Sequence, residues 1–184
     1  MASAFGHALV SVAMGKTYSK KTATVKFILL GIFCAVIPDA DVISFQFGVH
    51  YEDFWGHRGF THSILFAIIL ATLLTFIFYR SVFFSKKSWM YLLCFSLCGI
   101  SHGVLDAMTS GGLGVAFFSP FDTGRYFLPW RPIKVSPIGA AKFFGERGIR
   151  VLKSEAVWIG IPSVVYMLIV YLIRKLKTHP TESN

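Results

Sequence analysis

Long apolar runs broken by short basic or Pro/Gly-rich stretches constrain this chain more than any other feature. Residues 1–15, 24–37, 62–79, 89–108 and 156–173 carry few charges. Cations gather between them, at Lys16, Lys20, Lys21 and Lys26, at Arg80, Lys86 and Lys87, and at Arg174, Lys175 and Lys177. A helix that crosses the ~30 Å hydrocarbon core of a bilayer needs about 20 mostly apolar residues. Lysine and arginine in the short connections mark the cytoplasmic side. Composition agrees: 15% of residues are charged and 54% hydrophobic, against roughly 25% charged in soluble domains. The pattern predicts an all-α, multi-pass membrane protein with about four transmembrane helices, an N-terminal membrane-inserted helix and an interfacial helix. Residues 1–177 form one domain in this reading, and 178–184 a polar, disordered tail. Positive charge follows the first apolar run rather than preceding it, so residues 1–15 read as a retained helix and not a signal peptide. The net charge of +9 is assigned to topology and to anionic lipid headgroups. No nucleic-acid motif accompanies it, so no nucleic-acid partner is expected.

Against this background the ionisable residues inside or at the ends of the runs stand out. Such groups are costly at membrane depth and face a cavity or a partner. His102 and Asp106 lie four residues apart, on one face of a helix. Asp39 and Asp41 follow Pro38 on a predicted turn, where two carboxylates can approach one cation. His57-Arg58-Gly59-Phe60-Thr61-His62 sets two histidines around a turn at the start of a helix, with Thr61 a candidate cap. His7 is the one strongly polar group of the first run. Each has a blander alternative: an interfacial histidine at His7, a solvated turn at Asp39 and Asp41. Cys34, Cys94 and Cys98 read as small buried apolar side chains, with Cys98, one turn before His102, open to a supporting role.

Depth argues against the bland readings. If the basic clusters are cytoplasmic, His7 and Asp39 each climb about 20 Å from the inner side, at ~1.5 Å per residue. The outer ends of the remaining runs bring His57, His62, His102 and Asp106 to the same layer, with Asp41 beside Asp39 and Glu155 at the outer start of the last run. The expected metal ligands are therefore His7, Asp39, Asp41, His57, His62, His102 and Asp106. Imidazole and carboxylate suit zinc best, with manganese as a second choice, and seven groups allow one or two ions. The chemistry is expected to be hydrolysis, with Asp41 or Glu155 as proton acceptor and Arg58 stabilising charge on a phosphoryl or acyl oxygen. One observation cuts against this orientation: the 110–154 stretch falls outside yet carries seven lysines and arginines. Part of it, with Phe143, Phe144, Ile149, Val151 and Leu152 among the cations, reads as an amphipathic interfacial helix after a Ser136-Pro137 start.

The set His7, Pro38-Asp39-x-Asp41, His57-Arg58-Gly59-x-Thr61-His62-Ser63 and His102-x-x-x-Asp106-x-x-Thr109 resembles the YdjM-like family of bacterial inner-membrane proteins, described as LexA-regulated metal-dependent hydrolases. Phe127-Leu-Pro129-Trp-Arg-Pro132-Ile and Ser154-Glu155 add to the resemblance, which reaches to about residue 173. It implies a multi-pass inner-membrane protein with a metal site. The His-x-x-x-Asp element is also similar to zinc-dependent phospholipase C and related nucleases, and by that analogy the substrate is a phosphoester, of a lipid or of a membrane-adjacent molecule. Two other classes stay open: an ion or metal transporter, and a structural or regulatory protein held by a His/Asp knot. The oligomeric state is not legible.

Overall fold

The computed structural model describes residues 1–178. Among them are seven α-helices: α1 (Ala4–Gly15), α2 (Val25–Val36), α3 (Ile64–Phe78), α4 (Lys86–Ala107), α5 (Ala140–Phe143), α6 (Glu146–Glu155) and α7 (Ile161–Thr178). Among the described residues there are no strands, only two isolated backbone bridges, Thr109 with Ile133 and Val115 with Tyr126. The described chain is thus all-helical, as its long apolar runs predict. The tail beyond Thr178 lies outside the described residues.

Among the described residues three helical stretches are long and apolar enough to cross a membrane: Val25–Phe47, Lys86–Ala107 and Glu146–Lys177. The first is α2 continued by a 3-10 segment, Ile37–Phe47. The apolar helices α1 and α3 are shorter, at 12 and 15 residues, or about 18 and 22 Å. The last stretch differs from expectation. Ser154-Glu155 does not introduce a new helix. Instead α6 runs through a π-helical turn, Ala156–Gly160, straight into α7. The interfacial and spanning pieces are one rod of 32 residues. Its start is Gly145-Glu146, not Ser136, whose Oγ donates to the Pro137 carbonyl at 3.4 Å rather than capping a helix.

Helix α4 is the axis of the bundle and packs on α1, α2 and α3. The contacts are close because small residues line them, as expected where van der Waals packing holds membrane helices together. A Cβ built on Gly99 of α4 would stand 2.8 Å from Ala67 Cβ of α3, and one on Gly31 of α2 would stand 2.9 Å from Ser11 Oγ of α1. Below these contacts lies an apolar core that includes Phe27, Cys34, Ala71, Leu74, Cys94, Phe95 and Cys98. The three cysteines are free and buried, and Cys98 Sγ takes a hydrogen bond from Ser11 Oγ at 3.3 Å rather than reaching toward His102. The other end of the bundle holds the polar residues, covered by the connections 48–63 and 109–136.

Candidate metal centre

Each polar residue reaches that end by a local cause. Pro38 stops α2 as an α-helix and the chain tightens to 3-10 geometry, where residues advance by about 120° each. Asp39 and Asp41 therefore point in different directions: Asp39 toward α1 and α4, Asp41 toward the His57–His62 turn. In that turn Arg58 adopts a left-handed backbone, φ +65°, and Ser63, not Thr61, caps α3 by accepting from Phe66 N–H at 3.1 Å. Thr61 Oγ1 instead donates to Asp41 Oδ2 at 2.7 Å.

Three imidazoles and two carboxylates converge. His7 and His102 stack with ring centroids 3.9 Å apart, and His62 stands edge-on to His102 at 4.6 Å. The gaps are His102 Nε2–Asp39 Oδ1 3.4 Å, His7 Nε2–Asp106 Oδ1 3.5 Å, His62 Nε2–Asp39 Oδ1 3.6 Å, His62 Nε2–Asp106 Oδ2 3.7 Å and His7 Nε2–Asp39 Oδ2 3.9 Å. These exceed N–H···O hydrogen bonds, which run about 2.7–3.2 Å. They match or slightly exceed the edge of a tetrahedron around zinc, about 3.3–3.4 Å for bonds of about 2.0–2.1 Å. Asp39, His62, His102 and Asp106 offer ligand atoms all within 4.8 Å of one another. The Nε2 atoms of His7, His62 and His102 and both Asp39 oxygens are buried without a hydrogen-bond partner. Buried polar groups are otherwise almost always paired, so the donor set fits a divalent cation.

The far sides of the rings are fixed. His102 Nδ1 lies 2.7 Å from the carbonyl of Ala35. A carbonyl only accepts, so the proton sits on Nδ1 and Nε2 presents its lone pair. His62 Nδ1 lies 3.2 Å from Asp41 Oδ2, and His57 Nδ1 lies 2.7 Å from Asp41 Oδ1. Such carboxylate–histidine contacts orient metal-binding imidazoles and raise their basicity. The trio Asp41, His57 and His62 is a second geometric candidate for a cation, but its spacings are those of hydrogen bonds already made. Burial lowers the pKa of His57 and favours its neutral form, with Nε2 unpartnered. Burial also works against protonated His62, but the Asp39 and Asp41 carboxylates override it and raise this pKa to about 9.

The groups expected to do acid–base work are placed elsewhere. Arg58 is fully buried. Its Nε donates to Asp106 Oδ2 at 3.1 Å, Nη2 to Thr109 Oγ1 at 2.8 Å, and Nη1 to the carbonyls of Gly111 and Leu113 at 3.1 and 2.5 Å. Four of its five N–H groups are spent within the protein, so the expected oxyanion donor is a clasp on Asp106. Glu155 accepts from Ser3 N–H and Ser3 Oγ, both at 2.5 Å, and so anchors the residues that lead into α1. Asp106 also accepts from Ala2 N–H at 2.6 Å. Asp41, expected as ligand or base, serves His57, Thr61 and His62 and accepts from Arg58 N–H at 3.3 Å. Arg125, one of the cations that conflicted with the expected orientation, is turned inward. It donates to the carbonyls of His57 and Tyr51 at 2.8 and 3.0 Å. It ties connection 109–136 to connection 48–63, a role that sequence pattern alone did not suggest.

The YdjM inner membrane protein family model matches residues 1–178, the whole described chain, so every element of the centre falls within it. The chain belongs to the YdjM family of inner membrane proteins. It is also 37% identical over 164 residues to inner membrane protein YbcI of Escherichia coli (strain K12), a match that covers 88% of this chain and 92% of YbcI. No solved structure matches. Family membership and the apolar helices place the protein in the inner membrane.

Proposed function

We propose that this YdjM-family protein is a multi-pass, membrane-embedded, metal-dependent hydrolase that acts on a phosphoester of a lipid or lipid-adjacent substrate, with its centre near the outer leaflet. The observation that carries the reading is the set of unpartnered His7, His62, His102 and Asp39 ligand atoms around Asp106, spaced as a coordination shell. His7, His62, His102, Asp39 and Asp106 hold one divalent ion, zinc by donor type. When bound, such an ion lowers the pKa of a water and polarises a phosphoryl or acyl oxygen.

The chain's own residues supply the rest. Asp41 locks the Nδ1 sides of His57 and His62. Arg58 holds the Asp106 carboxylate in place and offsets its charge. His57, neutral by burial and with Nε2 free, is the group fit to take a proton, oriented by Asp41 in the manner of a carboxylate–imidazole pair. Substrate approaches through Asp39, which at 8% exposure is the most exposed of the five ligands. Asp39 ends an apolar groove of about 540 Å³ lined by Leu29, Ile32, Phe33, Val36, Ile37 and Ala40 on the outer face of α2. That groove lies within a candidate span, which suits a lipid chain and supports a lipid substrate over a soluble one.

The second reading is a fold-holding metal knot, favoured by the depth of burial of His102 and Asp106, both 0% exposed. Ion conduction is disfavoured, because among the described residues the buried core below the centre holds apolar side chains and a few hydroxyls but no carboxylate or imidazole. A panel of phospholipids and acyl esters, assayed with the metal-loaded protein in detergent, separates the two readings. Metal-dependent turnover that His102→Ala abolishes supports the hydrolase. Full turnover in His102→Ala excludes this centre. Metal-dependent stability with no turnover supports the knot.

A further inference from the structure

A second feature lies away from the metal centre. Helix α7 rests chiefly against α1 and the π turn. With α4 these helices enclose a trough of about 690 Å³, walled by Val10, Met14, Leu97, Leu105, Trp158 and Ile159 among others. Apolar cavities of about 150 Å³ already stay dry and accept apolar guests. A trough several times larger, opening along three apolar helices, offers a surface suited to hydrocarbon chains.

What distinguishes this trough is its end. At Tyr18 it meets a second cavity of about 600 Å³ lined by Lys16, Lys20, Arg174 and Lys175, with no acidic residue among the described residues of its wall. Its frame is tied: Arg174 Nη2 donates to the Tyr18 carbonyl at 2.5 Å, and Thr17 Oγ1 and Tyr166 OH share a hydrogen bond at 2.5 Å. Two cations of the first connection, Lys16 and Lys20, and two near the end of α7, Arg174 and Lys175, face one space. Positive charge at helix ends marks the cytoplasmic side, where anionic lipids carry the surface potential. The combination of an apolar trough with a cationic pocket at one end is complementary to an amphiphile with an anionic head. We propose that the α1–α4–α7 trough is a binding site for an anionic phospholipid. Its acyl chains lie between α4 and α7, and its phosphate sits among Lys16, Lys20, Arg174 and Lys175. The site is separate from the metal centre and does not rest on the hydrolase reading.

The test is native mass spectrometry of the full chain in mild detergent, titrated with chain-matched phosphatidylglycerol and phosphatidylcholine. One phosphatidylglycerol is expected to bind in preference to phosphatidylcholine. Each cation near an anionic head is worth about fivefold in affinity, so Lys16→Glu/Lys20→Glu should cut the preference by about 25-fold or more. Lys16→Gln/Lys20→Gln should reproduce most of the loss and serves if the reversed pair does not fold. Leu97→Trp, which fills the trough from an exposed position on α4, should weaken both lipids alike and leave their ratio unchanged. Equal retention of the two lipids by the unaltered protein, or a preference insensitive to the lysine pair, overturns the proposal. So does a lipid-free dimer cross-linked through α7, which would show that a second copy covers the trough.

Discussion

Arg58 offers the deepest test of how the centre is built, because the structure gives it a role different from the one its position in the His57–His62 turn suggests. Replacing it by Met keeps the apolar bulk but removes every donor. The Asp106 carboxylate, 0% exposed, then loses its ion pair, and the carbonyls of Gly111 and Leu113 lose their partner. Breaking a buried pair from one side costs about 3–5 kcal/mol, mostly as an uncompensated buried charge. At about 2–4 °C per kcal/mol for a chain of this size, the metal-free protein should melt about 6–20 °C lower. The sharper quantity is coupling. In an Asp106→Asn background there is no charge left to offset, so Arg58→Met should cost about 2 kcal/mol less than it does alone. Thermal unfolding followed by tryptophan fluorescence, on both single variants and the double, completes the cycle. Additivity within about 0.5 kcal/mol would refute the clasp and return Arg58 to the role of a substrate-facing cation.

Other consequences are directly measurable. Asp41→Asn swaps an acceptor that orients His57 and His62 for an amide, and should weaken metal affinity about 10–100-fold without removing a ligand, as read by competition with a chromophoric chelator. Gly99→Val forces a side chain into Ala67, whose Cβ already stands 2.8 Å from an added Cβ. It should destabilise by several times the ~1 kcal/mol of an ordinary substitution, with a lowered melting temperature as the readout. The pH dependence has a definite sign. In metal-free protein the raised His62 pKa contributes stability that is full below about 6.5 and fades as pH climbs through about 9, whereas the lowered His57 pKa removes stability as pH falls below about 6.5. Metal must displace the His62 proton, so apparent affinity should rise by about tenfold per pH unit across that upper interval. Melting curves from pH 6 to 9.5, with and without chelator, report both trends.

Much of this is legible in the sequence. His102 and Asp106 share a helix face by spacing alone, and His7, Asp39 and His62 stand out because polar groups at membrane depth need partners. Depth counted from the basic clusters brings all five to one layer, and the structure brings them to one point. What the sequence hides is direction. Asp39 and Asp41 look equivalent two residues apart, but the 3-10 turn after Pro38 faces one at the histidine Nε2 atoms and the other at the Nδ1 atoms behind them. Arg58 and Glu155 look available because nothing in their neighbourhoods reveals distant partners; the carbonyls of Gly111 and Leu113 and the amide of Ser3 lie 53, 55 and 152 residues away. The interfacial helix and the last span, expected as separate pieces on either side of Glu155, are continuous, because a π turn lets α6 run into α7. The long basic connection was ambiguous for a similar reason: the charge of Arg125 is spent on carbonyls across the site rather than on topology.

The central claim is that five side chains from separate segments form one metal shell, and elemental analysis of the protein purified in detergent without chelator tests it most directly. The account predicts about one transition-metal ion per chain, zinc foremost. It predicts that the ion is lost from His102→Ala and Asp39→Ala and kept in His50→Ala, an exposed histidine outside the cluster. A chain that stays metal-free after zinc loading, or that holds as much metal without His102 and Asp39 as with them, would contradict it.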